Sequence, residues 1–233
     1  MKILFITSSS INGGAQKHIR EMYKSLTGLG HKVYLVAPAG WLTDELKEYG
    51  TKIISMKLGI KSISKLKDTF EKIEPDITNT FILSGGVYGT MAWKKKKNGK
   101  IFITVNNPVI YPGISRVGKM IYPYMYRYMS HYASAFLVKA DRVRDEVAEI
   151  IRNKKPVISI KNGIDLSVFN KDIEYPEIRN ELGIKKDDIV ITNVAALDVR
   201  KGQEYLIHAT EELRKKYPIH VLLVGEGNNG EKL

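Results

Sequence analysis

Apolar residues in this chain come in short continuous runs, separated by longer amphipathic stretches. The runs at 2–7 (KILFIT), 32–37 (KVYLVA), 52–56, 77–83, 100–105, 135–139 and 157–161 each predict a buried strand. The stretches at 15–28, 63–73, 84–97, 120–132 and 142–152 have the length and spacing of helices. Continuously apolar strands alternating with helices predict a parallel sheet covered on both faces. Such a doubly wound α/β sheet takes its ligands at the carboxyl ends of the strands.

The pattern changes near residue 166. Residues 170–188 are polar, contain Pro176, and predict a linker with a short helix. The alternation then restarts with a strand at 189–194, a helix at 203–217 and a strand at 220–224. The expected organisation is a doubly wound domain over 1–165, a linker over 166–188, and the beginning of a second Rossmann-like domain over 189–233. Two parallel strands and one helix bury little core, so the second domain reads as cut short.

Charge sharpens this division. The net charge is +12, but residues 1–165 hold 27 Lys and Arg against 13 Asp and Glu, while residues 166–233 hold 10 against 12. A basic first part suits an anionic partner such as a phosphorylated substrate, a membrane face or nucleic acid. No apolar run approaches the ~18 residues of a bilayer span, and the first run is too short for a signal-peptide core. Zero cysteines exclude disulfides and thiolate metal sites. The five histidines show no metal-binding spacing, so no metal is expected.

Four short motifs carry the chemistry. Gly13 and Gly14 stand where the first strand hands over to the first helix, which suits either a turn with positive φ or a ligand approaching bare backbone N–H groups. Neither the dinucleotide nor the P-loop fingerprint is met. Asn162-Gly163, in KNGIDLSVF, permits a sharp left-handed turn at the suspected domain junction. Arg200 and Lys201 precede the helix at 203–217 and are candidates to neutralise an anion, against the plainer reading of a solvated charge pair. Gly225, Glu226 and Gly227 end the last strand in a glycine turn.

In this order and spacing the motifs resemble the family 4 glycosyltransferases of the GT-B fold. The stretch GGAQKHIREMYKSLTGLGHKVYLVAP is similar to the family's opening, and EPDI to its usual entry into the fourth strand. The resemblance runs from Lys2 to Gly227. It implies a retaining enzyme that moves a sugar from a nucleotide-diphosphate donor to a glycan or lipid-linked acceptor, without a metal or other cofactor. The first domain would carry the acceptor side, with His18 facing it, and the second would bind the donor. Gly13, Gly14, Asn162, Gly163, Arg200, Lys201, Gly225, Glu226 and Gly227 would line the donor's phosphates and sugar at the interdomain cleft. Polysaccharide assembly in the cytoplasm, with docking on the inner membrane face, is the implied setting.

Three positions depart from the family pattern. Asn106 and Asn107 stand where a histidine usually contacts the donor sugar, and asparagine is no general base at neutral pH. Ala196 replaces a usual arginine, leaving Lys201 and Arg200 for the diphosphate. The paired glutamates of the family lie beyond the last strand, so the 233-residue chain is expected to be inactive by itself. A non-catalytic remnant that binds an acceptor or partner is the alternative. Nucleic-acid binding has only the charge in its favour, since the recognised signatures are absent.

Two basic concentrations bear on the membrane. Lys94–Lys100 is a charge run at a helix end. Ser115–Tyr132 carries five tyrosines among Arg116, Lys119 and Arg127, a composition that suits a membrane interface as well as a packed helix. Pro123 is expected to interrupt it.

Overall fold

The computed structural model describes residues 1–50, 52–94, 99–111, 113–164, 166–167, 169–170 and 176–233. Contacts divide the chain into two compact units, Met1–Gly163 and Ile164–Leu233.

The first unit is a doubly wound sheet. In chain order its strands are β1 (Lys2–Thr7), β2 (Lys32–Ala37), β3 (Lys52–Ser55), β4 (Ile77–Phe81), β5 (Lys100–Val105), β6 (Ala135–Val138) and β7 (Val157–Ser159). They pair in the order β3-β2-β1-β4-β5-β6-β7, and every pair is parallel. The strand order reverses between β1 and β4, so the loops after these two strands diverge and leave a ligand position.

Helices cover both faces. Ile19 and Tyr23 of α1 (Gly14–Gly28), with Leu42 and Leu46 of α2 (Trp41–Lys47), pack on Ile3, Phe5, Val33, Leu35 and Phe81. The second cluster joins Leu4, Ile6, Ile103, Val105, Phe136 and Val138 to α3 (Ile63–Ile73), α4 (Leu83–Trp93), α5 (Arg116–Ser130) and α6 (Asp141–Ile150). Each such fully buried Leu, Ile or Phe side chain contributes roughly 1.5–3 kcal/mol.

Several elements differ from the sequence expectation. The helix expected at 203–217 ends at Leu213, the strand expected at 157–161 ends at Ser159 and the helix expected at 84–97 ends at Trp93. Three further differences bear on the architecture. The strand expected to run to residue 83 ends at Phe81, because Ile82 takes φ 65°, ψ 147° and breaks the ladder. The apolar run continues past it into α4, whose Gly85 lies against the Ile6 carbonyl and whose Gly86 and Gly89 lie against Met129 and Thr80. The helix α2 carries no strong periodicity, and the sequence did not announce it. In α5, Pro123 does not interrupt: one helix runs through it, started by the Ser115 hydroxyl accepting from Gly118 N–H.

The second unit holds α7 (Pro176–Glu181), β8 (Ile189–Val194), a 3₁₀ turn at Val199–Lys201, α8 (Gln203–Leu213) and β9 (Ile219–Val224). β8 and β9 pair in parallel from Ile189↔Ile219 to Val194↔Val224.

Candidate functional site

The loop after β1 is tied down from several directions. Ser84 Oγ donates to Ser8 Oγ at 2.6 Å, Ser10 Oγ donates to the Pro38 carbonyl at 2.6 Å, and the buried Gln16 amide donates to the Ser9 carbonyl at 3.3 Å. Gly13 caps α1 in an extended conformation (φ −145°), so no left-handed backbone demands the glycine pair. A Cβ on Gly13 would come 2.9 Å from the Gln16 amide oxygen, whose nitrogen is held by Ser9, so Gly13 leaves room for that side chain; one on Gly14 would meet open space. What remains of the two original readings is access. Gly14 is exposed at the start of α1, where the first N–H groups of a helix have no intrahelical partner.

Four residues further on, His18 meets a partner 121 positions away. Lys139 Nζ lies 2.6 Å from His18 Nε2. β4 and β5 stand between β1 and β6 in the sheet, so this contact spans the carboxyl ends of two intervening strands. Burial, helped by the Lys139 charge, pushes the His18 imidazolium down to about 4. Burial also lowers the Lys139 ammonium from its ordinary value. A neutral His18 therefore accepts at Nε2 from the ammonium and carries its proton on Nδ1. The ring stands edge-on to Phe81, with centroids 6.4 Å apart.

Register identifies the neighbours of this pair. Phe81 pairs with Thr104 and Val105 with Val138, so one residue further Asn106 lies beside Lys139. Side chains alternate along a strand, which sets Asn79, Phe81, Thr104, Asn106 and Lys139 on the face that carries α1. Within this polar seam Thr104 Oγ1 donates to Asn79 Oδ1 at 2.8 Å. The Asn106 amide differs: its nitrogen and its oxygen are both buried and neither has a hydrogen-bond partner. A buried polar group left so costs ~1–3 kcal/mol per site. Ile82 adds strain at the same edge, since a β-branched residue at φ 65° is a steric outlier.

The other candidates of the first unit are less constrained. Asn107 is exposed. Asn162 and Gly163 are exposed too, and neither takes a positive φ, so the expected left-handed turn is not made. Nothing lies within 4 Å of a Cβ built on Gly163, and no packing calls for a turn there. Within KNGIDLSVF, Asp165 and Val168 fall outside the described residues, as do Lys95, Lys96, Lys97 and Asn98 of the basic run.

In the second unit the cation pair is not a pair. Asp198 accepts from Arg200 Nε and Nη2, each at 2.8 Å, and from the Arg200 backbone N–H at 2.9 Å. This fork holds the Asp198 carboxyl far below the usual carboxylate range and turns the Arg200 charge toward it. Lys201 is exposed beside it. Gly225 and Gly227 have a structural task of their own. A Cβ on either would run into the carbonyl of Ala195 or Leu197, because the two loops are laced by Ala195 N–H to the Val224 carbonyl (3.0 Å) and Leu197 N–H to the Glu226 carbonyl (2.9 Å). Glu226 is exposed between them. A cavity of about 530 Å³ in this unit is lined by Leu182, Ile184, Ile207, Val221 and Leu223 among others, and by none of the candidate residues. Among the described residues, no three or more His, Cys, Asp or Glu side chains are grouped to hold a metal ion.

Residues 12–168 match the family described as Glycosyltransferase Family 4. The chain belongs to this family. Residues 174–233 match Glycosyl transferases group 1. An uncharacterised glycosyltransferase of Methanocaldococcus jannaschii is 26% identical over 106 residues, which are 43% of this chain and 27% of that protein. A glycosyltransferase of Rickettsia africae superposes with TM-score 0.74 at 18% identity, over 96% of this chain and 60% of its own. Anabaena HepE, solved with UDP and glucose, gives TM-score 0.74 at 19% identity, over 100% of this chain and 63% of its own. The fold is thus α/β of the GT-B type, and this chain spans under two thirds of those two structures.

Sequence reasoning missed Lys139, Ile82 and Asp198. Lys139 had a visible signal, a lone charge closing the apolar run AFLV at the ligand end of a sheet. Asp198 had one as well, since aspartate two residues before a basic side chain makes an Asx-type turn that captures it.

Proposed function

We propose that the protein to which these residues belong is a retaining glycosyltransferase that moves a hexosyl group from a nucleotide-diphosphate sugar to a glycan or lipid-linked acceptor. The first unit takes the acceptor and the second takes the nucleotide. The observation that carries this reading is the family 4 match over the unit whose strand ends hold His18, Asn106 and the open Gly13–Gly14 helix start. Gly13 and Gly14 offer backbone N–H groups to an anionic group, and Lys201 neutralises the leaving diphosphate. Asn107, exposed just beyond β5, hydrogen-bonds a sugar hydroxyl instead of acting as a base. No metal is needed, so transfer persists in chelator. The relative solved with UDP and glucose supports a uridine nucleotide as the first donor to try.

The 233-residue chain alone is proposed not to turn over. The test compares it with the natural protein from its source, whose intact mass is set against 26.4 kDa. Both are incubated with a panel of nucleotide sugars, diphosphate release is followed, and the product anomer is read by NMR. Transfer with retained configuration by the natural protein alone is expected. Inversion, or no transfer by any form, sinks the reading. The second outcome would favour a non-catalytic binding protein, a reading supported by the Asp198 fork on Arg200.

The membrane is the proposed setting of the acceptor. On α5 the side chains of Val117, Met120, Ile121 and Tyr124 are exposed and fall at i, i+3, i+4 and i+7, one continuous apolar stripe. Arg116 and Lys119 are exposed on the same helix, and Arg127 stacks over Tyr124 at 5.5 Å. Apolar anchors beside cations suit an anionic cytoplasmic membrane face. No helix among the described residues is long and apolar enough to cross a membrane.

A further inference from the structure

Lys139 and His18 are two basic groups in contact, and no carboxylate pairs with either among the described residues. Arg20, on the same helix as His18, is by contrast compensated by Glu21 at 2.8 Å and Glu45 at 3.0 Å. The neutral imidazole accepts a hydrogen bond from the ammonium but does not neutralise its charge, which is partly withdrawn from water with no counter-ion among the described residues. The contact sits at the carboxyl ends of the strands, where open α/β sheets take ligands. Beside it stands Asn106, with an amide that is buried and unpartnered at both ends. Its neighbours on that face, Asn79 and Thr104, satisfy each other. Elsewhere among the described residues of the unit, Thr78, Thr90, Tyr128 and Ser159 each leave a single buried hydroxyl without a partner, whereas Asn106 lacks one at both ends of its amide.

We infer that Lys139, His18 and Asn106 form an anion subsite that takes a phosphate group of the acceptor. This rests on the reading of the first unit as the acceptor side. The donor inventory favours phosphate over carboxylate. Lys139 spends one N–H on His18 and keeps two, and Asn106 presents an amide NH₂. Several N–H donors of this kind suit the several oxygens of a phosphate, where a carboxylate offers two. The charge surplus of residues 1–165 draws such a group in from a distance.

The test uses the whole chain at pH 7 and constant ionic strength, with inorganic phosphate as probe and the His18 ring resonances as readout. A saturable shift with phosphate is expected, with no such shift from acetate. Lys139→Met should weaken the affinity by about tenfold or more, the worth of one charge-assisted hydrogen bond. Asn106→Ala should also weaken it while leaving thermal stability equal or higher, because it removes a buried amide with no partner. That split is one a merely structural asparagine does not produce. No saturable shift in the wild type, an equal shift from acetate, or full affinity in both variants overturns the proposal. Two further arms separate the sources of phosphate. Glycerol phosphate should compete with inorganic phosphate, whereas UDP should not. Competition by UDP would reassign the subsite to the donor and overturn the inference while leaving the transferase reading intact. Phosphate binding without any transfer by the natural protein would do the reverse.

Discussion

Lys139 Nζ and His18 Nε2 meet at 2.6 Å across the ends of two intervening strands. Burial first, and the Lys139 charge second, keep His18 neutral through the physiological range, and this fixes the sign of a pH effect. The unfolded imidazole titrates near 6.5 and the folded one at about 4. Between these values the unfolded chain binds the additional proton, so stability present above pH 6.5 is lost as the pH falls toward 4. Thermal melts of the wild type should show this slope, and His18→Gln should flatten it. Lys139→Met should reduce the slope without abolishing it, because burial is the larger cause and remains. A His18→Gln protein with the wild-type slope would disprove the assignment.

The fork between Asp198 and Arg200 gives a second titration. Asp198 should stay ionised well below 3.8, as read from its side-chain carbon resonance. Arg200→Ala should return it part of the way toward the ordinary value, since it removes the leading cause, the side-chain fork, and keeps the backbone N–H that also donates to Asp198. Lys201→Ala should move it much less. Equal effects of the two substitutions would mean that diffuse charge, and not the fork, depresses the carboxyl.

The glycines of the two units should behave in opposite ways. Gly225→Ala forces a Cβ into the Ala195 carbonyl at a positive φ, and should destabilise the second unit by roughly 3 kcal/mol or more. Gly163→Ala, in open space, should stay within about 0.5 kcal/mol of the wild type. Amide hydrogen exchange within each unit reads both. A silent Gly225→Ala would show that the two loops are free to separate.

This contrast marks what was legible in the sequence. The strands Lys32–Ala37, Lys100–Val105 and Ile189–Val194 and the helix Ile63–Ile73 have the bounds that their periodicity predicts, because burial on both faces leaves an uninterrupted apolar record. The junction at Ile82 was illegible, since an apolar run carries no mark of the residue at which a strand turns into a helix. Asn106 was legible only through the family resemblance, and His18 through its place four residues after Gly14. Their relation to Lys139 was not, because it depends on which strand lies beside which. The sheet order β1-β4-β5-β6 decides that, and no local pattern encodes it.

The hydrogen bond from Thr104 Oγ1 to Asn79 Oδ1 tests the polar seam itself. Thr104→Val keeps the shape and removes the donor, leaving a buried carbonyl short of a partner. A loss of ~1–3 kcal/mol in denaturant unfolding is expected. A neutral result would mean that water reaches the seam and takes the donor's place.

The apolar stripe of α5 predicts a membrane affinity that depends on single side chains. The chain should co-sediment with vesicles containing phosphatidylglycerol and bind phosphatidylcholine vesicles much less. Met120 is 63% exposed and Tyr124 64%, so replacing either costs the fold little. Burial of a side chain of this size in the interface is worth roughly 1.5–3 kcal/mol, so Met120→Glu should weaken vesicle binding by about tenfold or more. Lys119→Glu should act through charge instead, and its effect should fade as salt is raised. Binding that is indifferent to Met120 but abolished by salt would reduce the interaction to electrostatic adsorption, and the stripe would then have no part in it.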